Sequence, residues 1–137
     1  MRRTIDQILD GGFFVFHLAW IVFNCVAWAW KRTRRWHLGT IALTAAAWFG
    51  LGAWYGWGYC PCTDWHWRVR ERLGYDDPPS YLQVLISALF GLEIETQLAD
   101  VIAVVTLVVA AVLSVTFNVR DLRSPDNRGT PIDRVRS

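Results

Sequence analysis

Cys60, Cys62 and His66 fall within one seven-residue stretch, with Asp64 between them. Thiolates and imidazoles are soft and borderline metal ligands, so a Zn or Cu(I) site is chemically admissible here. Yet Cys-x-Cys-x3-His is no established zinc spacing. Three readings stay open: a metal site, a redox-active or strained Cys60–Cys62 pair, and two inert structural thiols. A second constellation lies near the N-terminus, where Asp10, His17 and Asn24 recur at intervals of seven. That interval sets them on one face of a helix. Polar groups at membrane depth turn towards the interior of a helix bundle. These three either hydrogen-bond between helices and fix their register, or build a proton, ligand or metal site around His17. His37 is expected at the membrane surface beside Trp36, too far from His17 to share a haem. Cys25 reads as a small apolar packing residue. No phosphate loop, HExxH, Ser-His-Asp set or Rossmann glycine pattern occurs.

The elements that must position these residues follow from composition. Of 137 residues, 53% are hydrophobic and only 19% charged, below the quarter or so usual for a soluble domain. Nine are tryptophan, and the charges gather into four islands separated by three apolar runs. That pattern belongs to an all-α, polytopic membrane protein of one domain. The spans are expected at about 11–30, 38–59 and 99–117, within a transmembrane domain over 1–120. β-branched residues in the third span do not argue against a helix, because lipid demands internal backbone bonding. Ala27-Trp28-Ala29 resembles a signal-peptide cleavage site. The apolar run before it is too long, and the cationic stretch from Lys31 to Arg35 would resist export.

The second span carries rows of small residues, Ala42-Ala46-Gly50 and Gly52-Gly56, which let helix backbones approach closely. Aromatic residues from Trp54 to Tyr59 crowd its far end, as at a lipid–water boundary. The loop that follows should hold two short interfacial helices. One, capped by Thr63 or Asp64, runs to Leu73, with Gly74 past its end. The other covers Tyr81 to Phe90 and puts Leu82, Leu85, Ile86, Leu89 and Phe90 on one face. At about 15 Å it cannot cross the bilayer. Residues 121–137, rich in arginine and aspartate, read as a disordered cytoplasmic tail.

Lysine and arginine near span ends mark the cytoplasmic side. Four lie in the 31–37 loop and five in the C-terminal segment, against three in the long loop and two at the N-terminus. The expected orientation is N-terminus out and C-terminus in. A net charge of +2 is too small to argue for nucleic acid.

Several of these residues also resemble a known pattern. Phe16-His17-Leu18-Ala19, Trp36-His37-Leu38, Gly56-Trp57 leading to Cys60-Pro61 and Thr63, and a final apolar span are similar to domain-of-unknown-function family 2784, small bacterial membrane proteins. The resemblance covers roughly residues 5 to 120. It implies that His17, His37, Cys60, Pro61 and Thr63 match the family motif, and it brings no activity with it. Cys62 stands where members often have an aliphatic residue, so a Cys60–Cys62 pair falls outside any shared function. A carboxylate usually follows the threonine, and Asp64 is the one near enough to stand in. A shared site would centre on His17, Cys60 and Asp64.

Two function classes follow for a multi-pass protein of the bacterial cytoplasmic membrane. One is a non-enzymatic structural or accessory protein in the lipid bilayer, bound to a membrane protein partner or a second copy. The other is a ligand, metal or thiol-redox site at the outer face, built on His17 and Cys60 with Cys62, Asp64 and His66 as further ligands.

Overall fold

The computed structural model describes residues 1–123, and among them every regular element is helical. Helix α1 covers Arg2–Val26 and ends in a tight turn over Ala27–Ala29. Helix α2 covers Arg34–Tyr55, α3 Pro61–Leu73, α4 Tyr81–Phe90 and α5 Thr96–Arg123. α1, α2 and α5 are long and apolar enough to cross a membrane. Only 11%, 6% and 17% of their apolar windows are buried inside the protein, so most of their Val, Leu, Phe and Trp side chains point outward. In water each large apolar side chain left exposed forfeits about 1.5–3 kcal/mol. Hydrocarbon removes that cost, so three outward-facing apolar helices of this length suit a bilayer.

The helix ends differ from the expected span bounds. α1 starts at Arg2 rather than residue 11, because the acids of its first turns are tied to α3. α2 starts at Arg34 rather than Leu38, and it stops at Tyr55 rather than residue 59. Gly56 there has φ 106° and ψ 152°, a backbone conformation essentially reserved for glycine. Midway, Ala46–Leu51 widens into a π-helix, so the four-residue row of small side chains does not continue with even spacing. α5 extends from Thr96 to Arg123, so residues 121–123 of the expected disordered tail are helical. The remainder of that tail, 124–137, lies outside the described residues.

α3 begins earlier than a Thr63 or Asp64 cap would allow. Proline fixes its own φ and holds the preceding residue extended, so Cys60 (φ −130°, ψ 120°) becomes the N-cap and Pro61 the first helical residue. Thr63 and Asp64 fall within the first turn. At the other end Gly74 is left-handed, and the Tyr75 N–H donates to the Arg70 carbonyl, closing the helix. In α4 the buried face is Tyr81, Val84 and Leu85, whereas Leu89 and Phe90 point outward. Gln83 fixes the start of α4, accepting from the Ser80 N–H and donating to the Ile94 carbonyl.

Packing defines two ends. α1 packs chiefly on α3, and the first half of α2 packs on α5. The second half of α2, Ala46–Tyr55, has its main contacts within α2 itself and leaves the bundle. Ala46 and Gly50 are exposed there, as is Ala42 in the first half.

Candidate functional site

The first half of α1 and the length of α3 meet along matched faces. On α3, Thr63, His66 and Arg70 recur at helical spacing; on α1, Asp10 and His17 face them in opposite order. The His66 Nε2 donates to Asp10 Oδ1 at 2.8 Å, and Arg70 Nη1 reaches the same oxygen at 3.1 Å. Arg70 also donates from Nε to Asp77 Oδ2 at 2.7 Å and lies over the Tyr75 ring. The bond to Asp77, with Asp10 nearby, holds the guanidinium above its ordinary pKa against the opposing pull of burial. Further out, Arg72 pairs with Asp6 at 2.8 Å. A carboxylate only accepts, so the proton in the His66–Asp10 bond sits on His66 Nε2.

One turn deeper, His17 Nε2 lies 3.2 Å from Thr63 Oγ1 and 3.9 Å from Cys60 Sγ. Cys60 is brought there by the extended conformation that Pro61 imposes. The His17 ring stacks on Tyr81 at 4.1 Å, and Tyr81 stacks in turn on Trp67 at 5.4 Å. Phe13 covers the fully buried His66 at 5.4 Å. Burial, aided by the Asp10 carboxylate and opposed by Arg70, pushes the Tyr81 phenol up to about 12. Three buried polar atoms of this cluster have no hydrogen-bond partner among the described residues: His17 Nδ1, His66 Nδ1 and the Tyr81 hydroxyl. Buried polar groups are paired in the great majority of cases, because leaving one unmade costs about 1–3 kcal/mol.

The five residues of the expected ligand set do not converge. His17 joins Cys60 and Thr63, Asp64 pairs with Arg68 at 3.0 Å, and His66 turns to Asp10. Cys60 and Cys62 are separate thiols. Burial, and then the neighbouring Cys60, raises the pKa of Cys62. Among the described residues no three His, Cys, Asp or Glu side chains are placed to hold a metal ion. Arg70, Asp77, Trp67 and Tyr81 complete the cluster and were not singled out from sequence. The seven-residue spacing of Thr63 and Arg70 is the same signal as that of Asp10 and His17; nothing comparable marks Tyr81.

The polar face of α1 is divided between two partners. Asp10 and His17 serve α3, whereas Asn24 serves α2: Thr40 Oγ1 donates to Asn24 Oδ1 at 2.8 Å, and His37 Nε2 donates to the Asn24 carbonyl at 2.9 Å. His37 is thus fully buried between helices. The reason is the early start of α2, which places His37 in its first turn against α1. Trp36 beside it does point outward, 76% exposed.

Residues 7–119 match the family described as Protein of Unknown function (DUF2784). No curated protein and no solved structure matches the chain.

Proposed function

The chain belongs to the DUF2784 family, and from that premise we propose a three-span, non-enzymatic accessory protein of the bacterial cytoplasmic membrane that docks a partner span or a second copy against α2. Its N-terminus lies outside and its C-terminus inside, with α3 and α4 resting on the outer face. The observation that carries the reading is the outer half of α2, Ala46–Tyr55, which leaves the bundle and exposes the small residues Ala46 and Gly50. Small residues allow close backbone approach, the main route to helix association where lipid removes the hydrophobic drive. The polar side chains of α1, by contrast, are already engaged with α2 and α3.

Mass measurement by light scattering in mild detergent tests this. The wild type should exceed one chain plus its detergent belt, and the double substitution A46L/G50L should return it to that mass with helicity unchanged. A wild type already at the single-chain mass, with no membrane protein co-purifying, overturns the reading.

A second reading is favoured by the three unpartnered atoms of His17, His66 and Tyr81. They fit a small polar ligand held under α3, with Cys60 at its edge. Metal analysis and mass spectrometry of purified protein should then find a bound species that H17A loses and A46L/G50L keeps. Wild type carrying none ends this alternative.

A further inference from the structure

We infer that the end of the bundle opposite α3 holds the phosphate of an anionic phospholipid, gripped by Lys31 and Arg120 beside Arg34. A cleft of about 270 Å³ lies there between the α1–α2 turn and the end of α5, lined by Lys31, Arg34, Phe117, Arg120 and Asp121. Three cations face one carboxylate. That carboxylate is occupied: Arg34 Nη1 donates to both Asp121 oxygens at 2.8 Å, while Arg34 Nε holds the Trp28 carbonyl at 2.9 Å. Lys31 and Arg120 have no acidic partner among the described residues. Two cations lining one cleft, with no acidic partner among the described residues, call for an anion.

The height of the cleft identifies which anion. Lys31 directly follows the apolar run that ends at Trp30, and Phe117 lies one turn before Arg120, the first charge after the apolar part of α5. Trp30 and Trp36 flank the turn and point outward, where aromatic rings sit at headgroup level. Basic clefts between spans at that level suit phosphate headgroups. The apolar wall is rigid: Phe117 stacks on Trp28 at 5.6 Å and carries the Arg34 guanidinium at 4.6 Å on its ring. A phosphodiester can therefore meet Lys31 and Arg120 while its glycerol and acyl chains pass Phe117 into the hydrocarbon.

The inference rests on the membrane-spanning reading but is independent of the partner proposed for α2. The test is lipid binding by full-length protein in detergent, using phosphatidylglycerol against phosphatidylcholine, scored by native mass spectrometry and thermal shift. Wild type should retain phosphatidylglycerol in preference to phosphatidylcholine. K31Q/R120Q should bind it about thirtyfold more weakly, on the scale of two cations near a charged surface. R32Q/R35Q removes the same charge from exposed positions on the same turn and should bind like wild type. Equal loss in both variants would mean general attraction to negative charge and would overturn the assignment. So would inorganic phosphate stabilising the protein as well as the lipid does, which would make this a free-phosphate site. Unchanged binding in K31Q/R120Q, with circular dichroism showing native helicity, would overturn it as well. Failure of the protein to enter phosphatidylcholine nanodiscs would count instead against the membrane reading itself.

Discussion

The phenol of Tyr81 sits between the His17 imidazole and the Trp67 indole, with its hydroxyl buried and unpartnered. Burial is the main reason its ionisation moves from 10.0 to about 12, since a phenolate there would lose water without gaining a donor. The folded protein therefore prefers the neutral phenol more strongly than the unfolded chain does. That contribution to stability is complete below pH 10 and is lost as pH rises through about 12. The melting temperature in detergent should fall across this window, and Y81F should fall less. At neutral pH Y81F should cost little, because removing an unpaired buried hydroxyl is close to neutral. Superimposable alkaline profiles for the two proteins would refute the assignment. Tyr81 also marks what sequence could not supply. Asp10, His17 and Asn24 announce themselves by spacing, because one helix fixes their common face. Tyr81 reaches His17 only through the fold-back of a loop of some seven residues after Gly74, and no periodicity encodes that.

At the scale of elements, the decisive contact is the antiparallel seating of α3 on α1. Its polar pairs are unequal. Asp10 accepts from both the fully buried His66 and the largely buried Arg70, whereas Asp6 accepts from Arg72, whose side chain is 53% exposed. Removing one partner of a buried pair strands the other, at about 3 kcal/mol; an exposed pair is worth under about 1 kcal/mol. D10A should therefore lower the denaturant midpoint of α3 release far more than D6A, read by limited proteolysis of the 56–80 segment. Equal sensitivity in the two variants would mean that α3 is held by apolar contact alone. The existence of α3 and its end at Gly74 are legible in sequence; its beginning is misread when side-chain capping is ranked above proline. Cys60-Pro61 sets the start three residues earlier and so aims both Cys60 and Thr63 at His17. The burial of His37 between helices is hidden from sequence for a related reason. Hydropathy locates hydrocarbon, not the first hydrogen-bonded turn, and α2 begins within the charged stretch that hydropathy excludes.

Taken whole, the molecule has two ends of opposite electrostatic character. At one, the α1–α2 turn and the last turns of α5 gather Lys31, Arg32, Arg34, Arg35, Arg120 and Arg123 around one carboxylate among the described residues, Asp121. At the other, the start of α1, α3 and the loops on either side of α4 hold more acids than bases. The ion pair of Arg34 with Asp121 ties the basic end together, and those of Asp10 and Asp6 with α3 tie the acidic one. Basic segments beside short loops stay on the cytoplasmic side, so the acidic end should face out. In intact spheroplasts a membrane-impermeant maleimide should therefore label Cys60 or Cys62, both only half-buried, and C60S/C62S should abolish that signal. L122C introduced into C60S/C62S, at an exposed position on the last turn of α5, should react only after permeabilisation. Labelling of L122C from outside would invert the orientation and put the Lys31–Arg120 cleft in the outer leaflet. Labelling of both ends from one side would be incompatible with the proposed topology, in which the single crossing of α5 separates Cys60 from Leu122.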